Sequence, residues 1–232
     1  MSEEVSSIQT IGIIGGTGKE GKGLAFRWLK AGYRLLIGSR QQEKAEAAAQ
    51  DLRDLAGEDG ARVFGVTNPE AAAQADVLVL TVPYSAHRAT LEELKDSLIG
   101  KILVDVTVPL VPPKVTKVQM PAAGSAAQEA QEILGEGVQV VSAFQNVSYE
   151  KLLLGESIEC DVLVCGSSKA ARAKVLELVV AAGMVGFDAG PIENSVIAEG
   201  LTSILIGINK QFGVQSAGIK ITGVPRPDPS SD

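Results

Sequence analysis

Two periods alternate along the 232 residues. Short, almost wholly apolar runs read as strands buried on both faces, and stretches with apolar residues every third or fourth position read as helices packed on one side. The pattern predicts a strand at Thr10 to Gly15, a helix at Gly18 to Ala31 and a strand at Arg34 to Ile37, which together make a βαβ unit. A helix at Gln42 to Leu55 and a strand at Val63 to Val66 follow, then a brief helix with Asn68 as its cap and Pro69 as its first residue. Val77 to Val82 and Ile102 to Val106 are the next strands, with a helix at Leu91 to Leu98 between them. Four prolines between Pro109 and Pro121 break both periods, so this stretch is expected as an ordered loop or lid. A helix at Ser125 to Leu134 and a strand at Val138 to Phe144 come next. A smaller βαβ-like block then runs through Asp161 to Cys165, Ala170 to Ala182 and Val185 to Phe187. The last helix, Val196 to Phe212, is apolar on nearly every face and must be covered, under the sheet or in a subunit interface.

The fold class this predicts is α/β, a Rossmann-type doubly wound parallel sheet over 8–144 with a smaller C-terminal α/β domain over 145–224. Residues 225–232 are expected as a disordered tail. Composition agrees: 45% of residues are hydrophobic but only 4% aromatic, with 25 glycines, so the core is built from Val, Ile, Leu and Ala. A formal charge of −7 with no basic stripe argues against binding nucleic acid. Met1 to Ser7 is acidic and polar, and no apolar run approaches a membrane span, so a cytoplasmic protein is expected. Cys160 and Cys165 are too far apart for a C-x-x-C motif and have no nearby histidine, so they read as reduced thiols rather than a metal or redox site.

The chemistry enters with the turn after the first strand. Gly16, Gly18 and Gly21 form G-x-G-x-x-G between a strand and a helix, the context in which the motif binds a dinucleotide pyrophosphate. The first glycine is expected to allow the tight turn, the second the approach of phosphate, and the third close helix packing. The overlapping G-x-x-x-x-G-K at Gly16 to Lys22 lacks the Ser or Thr that a P-loop needs for magnesium, since Gly23 follows. Where NAD-specific folds place a carboxylate, the second strand ends in Gly38-Ser39-Arg40. Arg40 and Lys44, with Thr17 and Ser39 as hydroxyl donors, suit the 2′-phosphate of NADP(H).

Taken in order, G-G-T-G-x-x-G-x-G-L-A at Gly15 to Ala25, G-S-R-x-x-E-K-A at Gly38 to Ala45, L-T-V-P at Leu80 to Pro83, V-V-S-A-F at Val140 to Phe144 and D-A-G-P at Asp188 to Pro191 resemble the NADPH-dependent reductases of the deazaflavin coenzyme F420. Asn194-Ser195 and Glu199 to Thr202 extend the match. The resemblance implies hydride transfer between NADP(H) and coenzyme F420, a homodimer, and a C-terminal domain that walls the deazaflavin cleft. It also places Thr17, Ser39, Arg40 and Lys44 on the 2′-phosphate, Val82 and Pro83 along the cofactor groove, and Ala143 near the nicotinamide carboxamide. Gln145, Asn146 and Leu201 are the candidates for the substrate side. An archaeal form of the family carries a histidine where this chain has Gln145, and an amide does not titrate near neutral pH.

Acid–base machinery is sparse. No tyrosine is followed by lysine four residues later, as carbonyl reduction in short-chain dehydrogenases requires. His87 reads as a surface or capping residue at a helix start, and Asp105, Glu193 and Glu199 are isolated in sequence, so no catalytic residue is assigned. Transfer between two ring systems needs mainly alignment and exclusion of water. Two other readings stand beside it: an NADPH-dependent reductase of a flavin, metal chelate or small imine, and a non-catalytic NADP(H)-sensing protein.

Overall fold

The computed structural model describes residues 8–153 and 157–226. One eight-stranded sheet runs through it in the order β3-β2-β1-β4-β5-β6-β7-β8. The strands are β1 (Thr10–Ile14), β2 (Arg34–Ser39), β3 (Val63–Thr67), β4 (Val77–Leu80), β5 (Ile102–Asp105), β6 (Gln139–Ser142), β7 (Val162–Gly166) and β8 (Gly186–Gly190). The first six are mutually parallel, whereas β7 joins β6 antiparallel and β8 joins β7 parallel. Residues 145–224, expected as a smaller domain, thus add their two strands to the edge of the same sheet.

Alternation along each strand divides the core into two layers. Ile11, Ile13, Leu35, Ile37, Val77, Val79, Val104 and Val141 face α1 (Lys19–Lys30), α2 (Gln42–Ala56) and α7 (Lys169–Ala181). Their neighbours Ile14, Leu36, Leu78, Leu80, Leu103 and Val140 face α3 (Asn68–Gln74), α4 (Tyr84–Leu94) and α5 (Ala126–Leu134). Both faces of the sheet are therefore covered, which is why the strands read as unbroken apolar runs. Trp28 of α1 ties two helices together by donating its indole N–H to Leu178 O at 2.8 Å, and it meets Phe144 edge-on with ring centroids 5.7 Å apart.

Several boundaries differ from expectation for identifiable reasons. The cap of α3 is Thr67, not Asn68: Thr67 and Glu70 form a capping box, and Asn68 is buried with another task. A short helix, α6 (Tyr149–Leu152), gave no signal because four residues cannot display a period. Arg226, expected in the disordered tail, is held by Asp161, its Nη1 lying 3.1 Å from Oδ2; 227–232 lie outside the described residues. The last helix, α8 (Ser195–Phe212), buries Ala198, Gly200, Ser203 and Leu205 but leaves Ile197, Ile204, Ile208 and Phe212 exposed along one stripe. No helix among the described residues is long and apolar enough to cross a membrane.

Candidate functional site

The site lies where the sheet order reverses, between β1 and β4, at the C-terminal ends of the strands. After β1 the chain turns at Gly15, whose φ of +73° favours glycine, and a Cβ there would meet Val82 Cγ1 at 2.6 Å. The tight turn expected of Gly16 is therefore made one residue earlier. Asn68 fixes that turn by accepting the Gly15 N–H at Oδ1, 3.3 Å away, and Gly16 N–H donates to Gly38 O at 2.9 Å. Gly21 packs against the next strand end, since a Cβ would fall 2.8 Å from Thr81 Oγ1 and 3.0 Å from Gly16 Cα. Gly18 faces open space, with nothing nearer than 3.8 Å to a Cβ. It is also the N-cap of α1 and supplies no side-chain cap, so the first N–H groups of the helix are left for an anion.

Beside this turn is a cavity of about 370 Å³ lined by Thr17, Gly18, Ser39, Arg40 and Lys44 on one side and by Val82 and Pro83 on the other. Seven residues proposed from sequence thus share one space. Arg40 and Lys44 are exposed, and neither pairs with a carboxylate among the described residues. The start of α2 adds its own uncapped N–H groups, because Gln41 makes no side-chain cap there.

A second cavity, of about 450 Å³, opens on the other side of Thr81, Val82 and Pro83, which line both spaces. Gln145 and Asn146 line it, but their amide nitrogens serve the chain itself. Gln145 Nε2 donates to Asp105 O at 2.7 Å and Ser142 Oγ at 2.9 Å, and Asn146 Nδ2 donates to Ala198 O at 2.8 Å. The side-chain nitrogens are thereby committed and the carbonyl oxygens are the groups left to meet a ligand. Phe144, directly before them, has φ +74°, a conformation that costs a bulky residue about 1–3 kcal/mol, and its buried ring anchors the kink that brings both amides to the cavity. From α8 come Thr202 and Leu205, with Thr202 donating to Gln145 O at 2.9 Å. Ala143 is fully buried in the core, and Leu201 lines neither cavity, its neighbour Thr202 lining the larger one.

Sequence reasoning missed two residues here. Among the described residues three buried side-chain polar atoms lack a hydrogen-bond partner: Glu20 Oε1, Thr107 Oγ1 and His87 Nδ1. The first two belong to residues that line this cavity. Native interiors leave few such groups, and two in one cavity point to a polar ligand that satisfies them. The legible signal was Glu20 itself, an acid inside a glycine loop that is meant to receive phosphate.

His87 is neither at the surface nor a cap. It is fully buried in α4, with Nε2 2.7 Å from Asp105 Oδ2 and Nδ1 3.6 Å from Glu129 Oε2. Burial lowers its pKa, but the hydrogen bond and the charges of Asp105 and Glu129 outweigh that and raise it overall. Asp105 also accepts the Thr107 N–H at 2.9 Å, so the pair braces the strand end beneath the cavity without lining it. Glu199 is buried and accepts the N–H groups of Ala126 and Ala127 at 2.7 and 3.1 Å, which satisfies the start of α5. Burial nevertheless pushes it up to about 8.

Residues 10–109 match the family model described as "NADP oxidoreductase coenzyme F420-dependent". Over 224 residues the chain is 41% identical to the F420-dependent NADP reductase of Methanothermobacter thermautotrophicus, covering 94% of this chain and 97% of that protein. The chain belongs to the F420-dependent NADP reductase family. A second member of the family, from Methanocaldococcus jannaschii, is 40% identical over 221 residues, 92% of this chain and 98% of that one. A crystal structure titled a putative F420-dependent NADP reductase, from Arthrobacter sp. FB24, superposes with a TM-score of 0.77 at 23% identity, over 94% of this chain and 100% of that one. At that identity the superposition speaks for the shared Rossmann-like α/β fold of the F420-dependent NADP reductases. It leaves residue roles to the geometry above.

Proposed function

We propose that this chain transfers a hydride between NADP(H) and the deazaflavin coenzyme F420. The observation that carries the reading is the pair of cavities that share Thr81 to Pro83 as lining at the sheet's switch point, one edged by two cations that pair with no carboxylate among the described residues and the other holding two orphaned polar atoms. When bound, the two coenzymes supply the redox chemistry, and the chain contributes position and shielding. Gly18 and the start of α1 would hold the pyrophosphate; Arg40, Lys44, Ser39 and Thr17 would hold the 2′-phosphate. Val82 and Pro83 would floor the passage between the cavities. From the C-terminal part of the chain, Gln145 to Tyr149 and the lining residues between Thr202 and Ala217 would wall the acceptor side, with Gln145 and Asn146 accepting hydrogen bonds and Leu205 and Ile206 excluding water. We place the protein in the cytoplasm with small-molecule coenzymes as its partners.

Mixing the purified protein with NADPH and oxidised coenzyme F420 tests this through the loss of deazaflavin absorbance. Turnover is expected. Oxidation of NADPH by a flavin, metal chelate or imine but not by the deazaflavin would overturn the reading. The exposed stripe of Ile197, Ile204, Ile208 and Phe212 further supports a homodimer that covers it. Sedimentation equilibrium at micromolar concentration should give twice the chain mass, and a stable monomer would refute it.

A further inference from the structure

Glu20 has no role in the reading above. It lies in the first turn of α1, where a glutamate is ordinarily kept charged by the helix dipole. Here the side chain turns into the larger cavity, with Oε1 shielded from solvent and without a hydrogen-bond partner. Burial pushes its pKa up to about 8, and no charged neighbour contributes to the shift. The other ionisable side chains lining the cavity are Tyr84 and Tyr149. Tyr84 gives its hydroxyl to Glu129 Oε2 at 3.1 Å, and burial with that bond holds it near 12. Tyr149 meets Lys19, whose Nζ lies 3.3 Å from its hydroxyl. From β4, the loop after β5 and α8 the lining brings only apolar, hydroxyl and amide groups. Among the described residues Glu20 is thus the one carboxyl lining this cavity.

Hydride transfer to a neutral ring acceptor has a proton requirement that alignment cannot meet. The C–H bond of the dihydronicotinamide breaks and a C–H bond forms on the acceptor with the same electron pair. The acceptor then carries one negative charge until a proton reaches one of its heteroatoms. From the cavity geometry we propose that Glu20 is the group that gives up this proton, and takes it back in the reverse direction, from its orphaned carboxyl inside the larger cavity. The proton is replaced from water, at the latest as the next dinucleotide binds, so atoms and charge balance with NADPH, acceptor and one proton consumed. This rests on the hydride-transfer reading above. Pyrophosphate arriving at the same helix end adds negative charge beside the carboxyl and favours its neutral form further. A proton is therefore loaded as the dinucleotide binds.

The test uses Glu20→Gln, which keeps the shape but cannot exchange a proton, and Glu20→Asp, which keeps a carboxyl. First, NADP⁺ binding is followed by calorimetry at pH 8.5 in buffers of different ionisation enthalpy. The wild type and E20D should take up protons and E20Q should not. Second, single-turnover oxidation of NADPH by oxidised coenzyme F420 is followed across pH. The wild-type rate should fall as pH rises through the Glu20 range, and E20Q should be slower by about 10²-fold or more and lose that limb. Dissociation constants for NADPH at pH 7 should stay within about threefold, as expected when an interaction acts on the reaction rather than on binding. Unchanged proton uptake in E20Q, or an unchanged rate and pH profile, overturns the proposal. If the wild type reduces no deazaflavin, the parent reading fails separately. The calorimetric result still decides whether Glu20 loads a proton, and the rate comparison moves to whichever ring acceptor oxidises NADPH.

Discussion

Replacing Arg40 by alanine removes one cation from the edge of the smaller cavity without breaking any ion pair in the free protein, because Arg40 pairs with no carboxylate among the described residues. The change is therefore clean: stability should move by less than about 0.5 kcal/mol, as for other surface substitutions. Binding is different. A hydrogen bond to a charged group contributes about 1.5–3 kcal/mol. Arg40 is exposed, so water and salt screen the contact, and the lower part of that range applies. A loss of about 1.5–2 kcal/mol, or roughly 10- to 30-fold, is expected for NADPH. NADH lacks the 2′-phosphate and should lose less than about threefold, since Gly15, Gly18 and the start of α1 are untouched. Lys44→Ala should cost less than Arg40→Ala, because an ammonium meets phosphate as a flexible point charge. The double variant should fall short of the sum, since both groups would share one phosphate. Tryptophan or nicotinamide fluorescence titration at fixed ionic strength measures all of these constants. Equal losses for NADH and NADPH would show that Arg40 supports the pyrophosphate or the fold, and the assignment of specificity to the end of β2 would be wrong.

Two glycine variants should separate binding from folding. Gly18→Ala meets nothing nearer than 3.8 Å, so denaturant midpoints should hold while NADPH affinity drops at least about tenfold where the Cβ displaces phosphate. Gly21→Ala sets a Cβ 3.0 Å from backbone Gly16 Cα and should destabilise by about 1–3 kcal/mol in urea unfolding even without ligand. His87→Ala strips the buried Asp105 Oδ2 of its partner and should cost about 3–5 kcal/mol, read from the same unfolding curves. The pH dependence of stability has a definite sign: Glu20 and Glu199 rise from 4.5 to about 8 on folding, so their favourable contribution is complete below 4.5 and is lost as pH rises through 8. The Tm of Glu20→Gln should match wild type near pH 5 and exceed it by several degrees near pH 9, and parallel Tm curves would refute the burial of that carboxyl.

The strands and the glycine turn were legible because each depends on local chemistry. A buried parallel strand must be apolar on both faces, a phosphate turn must be glycine-rich, and the residues proposed to choose between NADP and NAD sit at one strand end. Six residues from Ser39 to Lys44 therefore carry information that the fold does not rearrange. The turn glycine was misplaced by one residue because G-x-G-x-x-G specifies which positions lack a Cβ, not which one has positive φ. The larger cavity was legible only in part. It is assembled from α1, the loops after β4, β5 and β6, and α8, so its lining is set by packing between segments up to about 200 residues apart. Thr202 rather than Leu201 lines this cavity, and sequence could not tell them apart because a helix of unknown rotation does not say which neighbour faces inward.

His87 and Glu20 show why burial decides what spacing cannot. In sequence both are polar residues near helix starts, and spacing alone does not tell them apart. The fold sends them in opposite chemical directions. His87 is buried with its partner Asp105 provided 18 residues later, so its charge is compensated and it braces β5 against α4. Glu20, only half-buried as a residue, keeps one carboxyl oxygen shielded without a partner, which a structural role would not require, because a leucine there would avoid burying a polar atom unpaired. Burial pushes the Glu20 pKa up to about 8, and on the proposal made above a carboxyl that favours its neutral form in the larger cavity is chemically suited to release a proton there. On the proposed reading, alignment suffices in the smaller cavity, whereas the larger one also contains an acid.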